Sequence, residues 1–359
     1  MMVGKRALVT GASGFIGKNL VRRLVDDEYV VTCLVRPTSD TRELQRLGCR
    51  LVVGDLQNNT DDLATSVARQ DFVFHLAAMT KALSCQELVD ANVRGIDRLL
   101  AICTSQQESP VFVFVSSLAA VGPSHPSRPH TETDPCRPVS NYGLSKREAE
   151  MTAQRYSNQV PISIVRPPIV LGPGDHEGLA LFKSIQDFGI HLHPGWRGHQ
   201  YSVLHVDDLV DAMMRIADAG ERIDGTDSGH GVYFATTQSE VNYRYLGRLI
   251  ANAVGRAWML PLPLFQFELW PTGAYNSLMA QIFRKPRYLD LDKIREIMAG
   301  AWTCSDQKIR RELGYRPSHS LQERLQQTAD WYRQHGWLKS SGKPARNRDS
   351  QADTEISIT

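Results

Sequence analysis

Short apolar runs rich in β-branched residues alternate with helical periods along the first half of the chain. The runs predict strands, and the segments between them, with apolar residues every three or four positions, predict helices. The predicted strands are 6–10, 29–35, 50–54, 71–76, 111–115 and 162–166, and the predicted helices are 15–26, 40–47, 60–69, 86–107 and 142–157. Because such alternation is typical of a parallel sheet covered on both faces, we expect an α/β fold with a doubly wound parallel sheet, the Rossmann architecture.

From about residue 170 the alternation becomes less regular. The stretches 172–178 and 193–200 are rich in glycine and predict loops. Further along, the pattern predicts a helix at 205–219, a strand at 231–236, helical stretches at 239–254 and 264–284, and two short helices within 305–337. We therefore expect a sheet domain of residues 1–170, to which 201–237 return, and a smaller, mostly helical C-terminal region of residues 171–200 and 238–338. The polar stretch 339–359 predicts a disordered tail.

Composition excludes several classes of protein. The chain has 359 residues, 42% hydrophobic and 22% charged, and its net charge of +2 gives no strong field for nucleic acid. Six cysteines without a CxxC pair favour a reduced, cytoplasmic protein over a disulfide framework. The N-terminus predicts no signal peptide. The apolar stretch 258–270 is interrupted by Pro261, Pro263 and Glu268 and is shorter than the roughly 20 residues of a transmembrane helix. A segment that lies on a membrane surface remains an alternative.

A glycine motif follows the first predicted strand. The sequence T10-G-A-S-G-F-I-G17 places glycines at 11, 14 and 17 between a strand and a helix. Such glycines allow a tight turn and close approach of the backbone to a pyrophosphate, which the helix N-terminus binds through free N–H groups. The motif predicts a dinucleotide site. The residues expected to contact the cofactor are Gly11, Ser13, Gly14, Phe15, Ile16 and Gly17.

The ends of the next strands predict the rest of the cofactor site. An NAD site usually carries an acid after the second strand, but Arg36 stands there and the nearest acid is Asp40. A guanidinium suits a 2′-phosphate, so NADP is favoured and NAD remains an alternative. The third and fourth strands also end where open α/β sheets bind ligands. Their predicted cofactor contacts are Asp55, Leu56, Leu76, Ala77 and Ala78.

A tyrosine and a lysine stand four residues apart in N141-Y-G-L-S-K146, so both lie on one face of a predicted helix. The phenol of Tyr142 could give or take a proton at a substrate oxygen if its pKa, ordinarily near 10, were lowered. A lysine ammonium one turn away and a cationic nicotinamide ring would both favour the phenolate. A tyrosine and a lysine at this spacing also occur on an ordinary exposed helix turn. The surrounding motifs are therefore needed to distinguish a catalytic pair from a plain surface helix.

Eight motifs in order make the chain resemble an extended short-chain dehydrogenase/reductase over about residues 3–210. They are TGASGFIG, GDL, HLAA, ANVRG, VSSLAAVG, YGLSK, RPPIVLGPGD and HVDDL. The resemblance implies that Tyr142 is the acid/base, that Lys146 binds the nicotinamide ribose and lowers the tyrosine pKa, and that Ser117 polarises the substrate oxygen. It also assigns a supporting role to Asn92 and cofactor contacts to Tyr142, Lys146, Pro167 and Ile169. The resemblance further implies a homodimer formed through the helix of Tyr142 and a neighbouring helix. The residues themselves do not fix the oligomeric state.

The resembled family carries out two kinds of reaction. Reductases and dehydrogenases exchange the cofactor after one hydride transfer, whereas nucleotide-sugar epimerases and dehydratases retain NAD. Ile169 and Val121 occupy positions where nucleotide-sugar members typically carry asparagine and often tyrosine, and the double proline of RPPIVLGPGD resembles members that act on steroids, dihydroflavonols and aldehydes. The favoured hypothesis is an NADP-dependent oxidoreductase acting on a carbonyl or secondary alcohol of a fairly apolar small molecule. The alternatives are an epimerase or dehydratase and a non-catalytic NADP-binding sensor. His191 and His193 lack an evident third ligand, so no metal is expected.

Overall fold

A computed structural model of the protein describes residues 4–57, 61–195, 199–287 and 289–340. The predicted disordered tail therefore lies outside the described residues from position 341 onward, as do residues 196–198 of a predicted loop. The strands are β1 Arg6–Thr10, β2 Val30–Val35, β3 Arg50–Val53, β4 Phe72–His75, β5 Val111–Val115, β6 Ile162–Val165, β7 Ile169–Leu171, β8 Ile190–Pro194, β9 Gln200–His205, β10 Val232–Tyr233, β11 Gln238–Asn242 and β12 Leu260–Leu264. The α-helices are α1 Phe15–Asp26, α2 Arg42–Arg46, α3 Asp61–Val67, α4 Cys85–Thr104, α5 Asn141–Gln154, α6 His176–Lys183, α7 Val206–Ala219, α8 Tyr243–Ala253, α9 Gln266–Phe283, α10 Leu291–Met298, α11 Gln307–Leu313 and α12 Leu321–Gln334.

Seven parallel strands form the main sheet in the order β3-β2-β1-β4-β5-β6-β10. The strand order reverses between β1 and β4, which is where doubly wound sheets bind their ligands. The register brings the carboxyl ends of the central strands together, with Thr10 opposite His75 and His75 opposite Phe114. The loops after β1, β4 and β5 consequently emerge side by side at one edge. This confirms the predicted α/β doubly wound fold.

Helices cover both faces of the main sheet and bury its β-branched strands. On one face α1 and α7 contribute Leu20, Leu24 and Met213 to the core, all fully buried. On the other face α4 and α5 contribute Ile96, Leu99 and Ala149. Apolar side chains on both sides of each strand explain why the strands appear in the sequence as continuous apolar runs.

The C-terminal region contains helices, as predicted, and also two small sheets. One has the order β11-β9-β7 and the other pairs β12 with β8. The loop predicted at 172–178 is wrong at its end, where α6 begins, and the loop predicted at 193–200 is wrong at its start, where β8 ends. The latter loop is also wrong at its end, where β9 begins, and the helix predicted at 239–254 is wrong at its start, where β11 stands. Both strands carry polar residues and are held by pairing with distant segments, such as Val241 with Tyr201. A periodicity argument detects local pattern only, so it misses strands of this kind.

Candidate active site

The loop between β1 and α1 brings its backbone close to the end of β4. Gly11 has a φ of +71°, and a Cβ there would lie 2.7 Å from the amide nitrogen of Ala77. A Cβ on Gly17 would lie 2.1 Å from the carbonyl oxygen of Gly11. Gly14 begins α1 without a side chain to cap it, so the first N–H groups of the helix remain available to an anion. Gly11 and Gly17 thus permit close packing of the loop backbone, and the uncapped start of α1 fits a pyrophosphate. Ser13, Phe15 and Ile16 lie on the same turn.

The ends of β2, β3 and β4 place the other predicted cofactor contacts along the same edge. Arg36 is exposed directly after β2, and within the described chain its guanidinium pairs with no carboxylate. Asp40 instead accepts two hydrogen bonds from Arg42, at 2.9 and 2.7 Å, and these hold the pKa of Asp40 well below its usual range. The side chain of Asp55 accepts from the amide of Gln57 at 2.9 Å.

The turn after β4 is fixed by hydrogen bonds to β1. The hydroxyl of Thr10 accepts from the amide of Ala77 at 3.2 Å and bonds the ring of His75 at 2.8 Å. Burial lowers the pKa of His75 to about 3, so the imidazole is neutral. Leu76, Ala77 and Ala78 are therefore held against the glycine loop, with Ala78 exposed. Leu56 lies behind them, where it would meet a Cβ on Gly95 of α4.

Ser117 and Tyr142 lie together beyond the end of β5. Ser117 begins a short 3₁₀ turn, Leu118–Ala120, and its hydroxyl accepts from the amide of Ala119 at 3.1 Å. Tyr142 is in the first turn of α5, which packs on that 3₁₀ turn. A hydrogen bond with Ser117 lowers the pKa of Tyr142, but burial and the Glu296 carboxylate outweigh it and raise that pKa to about 12. The tyrosine pKa is thus raised in this structure, whereas the resemblance implied that it is lowered.

Lys146 lies one helical turn after Tyr142 with its ammonium group buried. Its Nζ donates to the carbonyl oxygen of Val115 at 2.7 Å and lies 4.4 Å from the centre of the Phe114 ring. Burial lowers the pKa of Lys146 to about 7, and the nearby Glu150 carboxylate acts in the opposite direction. Lys146 is therefore held at the C-terminal end of β5, and both its charged and its neutral form are populated near pH 7.

Asn92 connects the turn after β4 to the helix of Tyr142. Its side chain is buried, accepts from the amide of Met79 at 2.7 Å and donates to the Met79 carbonyl at 3.0 Å. It also donates to the hydroxyl of Ser145 at 2.9 Å, on the residue before Lys146. Asn92 thus joins α4 and α5, which fits a supporting position.

A buried ion-pair network that sequence reasoning missed stands behind these residues. Glu150, one turn after Lys146, is fully buried and pairs with Arg166 through contacts of 2.9 and 2.7 Å. It also accepts a short hydrogen bond from Ser116 and pairs with Arg147 at 3.3 Å. The spacing of four residues from Lys146 is the signal that could have found it. The network fixes the position of α5 against β5 and β6.

Pro167 and Ile169 follow Arg166. The carbonyl of Pro167 accepts from the amide of Leu118 at 2.9 Å, which ties this segment to the turn after Ser117. Ile169 begins β7 and packs in the apolar cluster that also contains Tyr142 and Leu118. Both predicted contacts therefore lie beside the Ser117 turn and Tyr142.

A cavity of about 390 Å³ opens beside Tyr142. Its charged lining consists of Lys81, Glu177, Asp290, Asp292, Lys293, Arg295 and Glu296. Asp292 also accepts from the backbone amides of Asn141 and Tyr142, at 2.8 and 3.4 Å, at the positive end of α5. Sequence reasoning missed α10, which carries Asp292 and Glu296. Their spacing of four residues, on one helix face, was the available signal.

Comparison with known proteins places the chain in a family. The model of the NAD dependent epimerase/dehydratase family matches residues 7–228. The chain therefore belongs to that family, within the extended short-chain dehydrogenases/reductases, and is an NAD(P)-dependent oxidoreductase. The resemblance carried by its motifs is confirmed.

Named relatives include both reductases and an epimerase. The chain is 29% identical to a 4-hydroxy-2-methyl-3-oxo-4-farnesyl-3,4-dihydroquinoline-1-oxide ketoreductase of Stigmatella aurantiaca over 95% of this chain and 99% of that protein. It is 29% identical to a ceramide reductase of Caulobacter vibrioides (92% and 95% covered) and 26% identical to a UDP-glucose 4-epimerase of Vibrio cholerae (92% and 96%).

Among solved structures, gox2253 superposes with a TM-score of 0.74 and 25% identity, covering 94% of this chain and 100% of that one. Among the described residues, no helix combines the length and hydrophobicity needed to cross a bilayer.

Proposed function

We propose that this protein is an NADP-preferring oxidoreductase that interconverts a carbonyl and a secondary alcohol on a fairly apolar small molecule. The observation that carries the proposal is the pairing of charged side chains in the cavity beside Tyr142, where four carboxylates outnumber three basic groups. Each basic side chain that lines it pairs with a carboxylate of the same lining. The three pairs are Lys81 with Glu177 at 2.6 Å, Lys293 with Glu296 at 2.7 Å, and Arg295 with Asp292 at 3.6 Å.

This pairing of the cations disfavours a nucleotide-sugar substrate. A diphosphate carries at least two negative charges and needs cations or N–H groups that are free to bind it. The cavity offers three cations that are already paired, together with Asp290, which caps α10 by accepting from the amide of Lys293 at 2.9 Å. A substrate without charge gains more from this lining than a diphosphate does. The relatives named for farnesyl-quinoline and ceramide reduction support an apolar substrate.

The proposed chemistry assigns one task to each residue. The nicotinamide cofactor supplies or takes the hydride. Tyr142 gives or takes the proton at the substrate oxygen, and Ser117 hydrogen-bonds that oxygen. Lys146 contacts the nicotinamide ribose and, when charged, favours the phenolate of Tyr142, while Asn92 holds Ser145 and hence α5 in position. The raised pKa of Tyr142 would be opposed by the positive charge of an oxidised nicotinamide bound at this site.

The proposed cofactor contacts follow the edge of the main sheet from the glycine loop to Pro167 and Ile169. Arg36 supports NADP because it stands unpaired where an NAD site usually carries a carboxylate, and because Asp40 is bound to Arg42. We further propose that residues 1–170 and 201–237 form the cofactor domain, and residues 171–200 and 238–338 the substrate region. A homodimer through α4 and α5 is consistent with exposed Leu144 and Met151, seven residues apart on α5.

The experiment begins with the purified protein. Its absorbance spectrum is recorded, NADPH and NADH are titrated by fluorescence, and NADPH consumption is followed with a panel of apolar ketones, aldehydes and nucleotide sugars. We expect the protein to arrive without bound nucleotide, to bind NADPH more tightly than NADH, and to consume NADPH with an apolar carbonyl. Copurified NAD, with turnover of a nucleotide sugar and no net cofactor consumption, would instead establish the epimerase or dehydratase alternative. Cofactor binding without turnover of any compound would favour a sensor.

A further inference from the structure

Helix α9 exposes an apolar face to solvent. Five large side chains occupy that face at helical spacing: Phe267, Trp270, Tyr275, Leu278 and Ile282, which are 73%, 39%, 59%, 58% and 59% exposed. A surface helix of a globular protein normally presents charged and polar residues on its outer side. Here the outer side is the apolar one, along a helix of 18 residues and about 27 Å.

The opposite face of α9 is already packed against the protein. Leu269 and Ala280 are buried, and a Cβ on Gly273 would lie 2.3 Å from the Cδ1 atom of Ile294 in α10. The helix therefore cannot bury its outer residues by turning inward without losing this contact. The outer apolar face is free to contact something other than the described chain.

A group of exposed cations follows the C-terminal end of α9. Within α9 the single charged residue is Glu268, in the first turn, where its carboxylate accepts from the amide of Phe265 at 3.1 Å. Directly after the helix come Arg284, Lys285 and Arg287, all exposed. Within the described residues none of these three cations pairs with a carboxylate. Because α9 carries one acidic and no basic side chain of its own, its attraction to an anionic lipid surface would come from the exposed apolar area and from the cations that follow the helix.

We propose that α9 docks the enzyme on an anionic membrane surface, lying in the plane of the interface with Phe267, Trp270, Leu278 and Ile282 inserted. The cations after the helix contact the lipid headgroups. Because Trp is amphipathic, Trp270 suits the boundary between headgroups and acyl chains. Since no described helix spans a bilayer, the attachment is peripheral and reversible.

The same helix borders the cavity beside Tyr142. Ser277 of α9 lines that cavity, and Gln281 donates to the carbonyl of Leu83, another lining residue, at 2.9 Å. Docking through α9 would therefore bring the cavity close to the membrane. This consequence, delivery of a lipid-like substrate, rests on the proposed function, whereas the docking itself does not.

The test is cosedimentation of the full chain with vesicles of phosphatidylcholine alone and of equal parts phosphatidylcholine and phosphatidylglycerol. We expect binding to the mixed vesicles and weaker binding to the neutral ones. Leu278→Ser with Ile282→Ser should lower the bound-to-free ratio at least tenfold on both. Arg284→Gln, Lys285→Gln and Arg287→Gln together should abolish the preference for mixed vesicles, at roughly fivefold per residue. Val30→Thr with Val53→Thr, which replaces exposed apolar residues of the main sheet, is the matched control and should bind like the wild type.

Two readouts distinguish membrane docking from misfolding and from self-association. NADPH affinity and urea unfolding of each variant show that it is folded, which is expected because the substituted side chains are exposed. Absence of wild-type binding to either vesicle would overturn the proposal, as would variants that bind as well as the wild type. A wild-type dimer that the Leu278 and Ile282 substitutions dissociate, in a protein that ignores vesicles, would assign the face to a second copy of the chain. Vesicle binding in a protein without reductase activity would keep the docking and refute the proposed function.

Discussion

The ammonium nitrogen of Lys146 lies 2.7 Å from the carbonyl oxygen of Val115, the last residue of β5. This bond links the helix of Tyr142 to the strand whose end borders the proposed active site. Burial of the ammonium lowers its pKa to about 7, so a change of one pH unit near neutrality alters the charge beside the site.

Lys146→Met should remove a rise of stability with pH. The pKa of Lys146 falls from an ordinary 10.5 to about 7 in the folded protein. Between these values the unfolded chain binds a proton that the folded protein does not, so the free energy of unfolding increases with pH by up to about 1.4 kcal/mol per unit. The penalty for burying the charge is complete below pH 7 and is relieved as the pH rises. Urea unfolding at pH 7 to 9.5, without added cofactor, measures the effect.

The control is Lys183→Met, which removes an exposed lysine and should keep the wild-type pH dependence. The window ends at 9.5 because Tyr142, with its pKa raised to about 12, contributes in the opposite direction above pH 10. If the free energy of unfolding changed with pH in parallel for the wild type and Lys146→Met between pH 7 and 9.5, the lysine would be charged in the folded protein across that range.

Tyr142→Phe should lower kcat by about 10² to 10⁴-fold, because it removes the proposed proton donor and acceptor. NADPH affinity should remain within about twofold, since the phenol is one of many proposed cofactor contacts. Steady-state kinetics and fluorescence titration measure the two quantities. Tyr156→Phe removes a phenol that lies beyond the opposite end of α5 and donates to Asp97 at 2.9 Å, so it serves as control. A kcat of Tyr142→Phe within a few fold of this control would refute the assignment.

Arg36→Ala should weaken NADPH binding by about 10 to 100-fold while NADH binding changes little. Charge-assisted hydrogen bonds to a 2′-phosphate contribute about 1.5–3 kcal/mol, and NADH lacks that phosphate. Arg42→Ala is the matched control, because Arg42 is exposed nearby but already pairs with Asp40. If Arg36→Ala weakened the binding of NADPH and NADH equally, Arg36 would contact the adenine and would not bind the 2′-phosphate.

Glu150→Gln should lower the free energy of unfolding by about 3 kcal/mol, because it leaves the buried charge of Arg166 without its counter-ion. Glu148→Gln, two residues earlier on the same helix, should change it by less than about 0.5 kcal/mol, since Glu148 is partly exposed. Urea unfolding of both variants gives the comparison. Equal stability of the two variants would show that the ion pair contributes no more than a neutral hydrogen bond.

Gly17→Ala should weaken NADPH binding at least tenfold and destabilise the fold. Its Cβ would lie 2.1 Å from the carbonyl oxygen of Gly11, so the cofactor loop must move. Gly95→Ala in α4 is the control. There the new Cβ would lie 3.5 Å from the Cβ of Leu56, an ordinary contact, and alanine should stabilise the helix by up to about 1 kcal/mol. If both variants bound NADPH normally, the loop would tolerate a side chain and the site assigned to the pyrophosphate would be wrong.

The main sheet and its helices could be predicted because their signals are local. The predicted bounds of β1, β5 and α1 agree with the structure, since continuous apolar strands and a 3.6-residue helical period need no knowledge of distant residues. β9 and β11 could not be predicted in this way. Their polar residues are accommodated by pairing across the fold, which no short window of sequence contains.

The candidate site could be predicted in part for a similar reason. The positions of Tyr142 and Lys146 on one helix face follow from their spacing. The approach of Asp292 and Glu296, about 150 residues away, does not follow from it. Burial, with the Glu296 carboxylate as the second cause, raises the tyrosine pKa against the expected direction. Whether a group gains or loses a proton depends on what the whole fold brings near it.

Transfer of deuterium from the cofactor tests the central claim most directly. NADPH labelled with deuterium at the transferring C4 position is incubated with the enzyme and an apolar ketone from the panel, and the products are examined by mass spectrometry. We expect one deuterium on the carbinol carbon for each NADPH oxidised, and loss of this product in Tyr142→Phe. A product formed without deuterium, while the cofactor stays bound and unconsumed, would contradict the proposed hydride transfer.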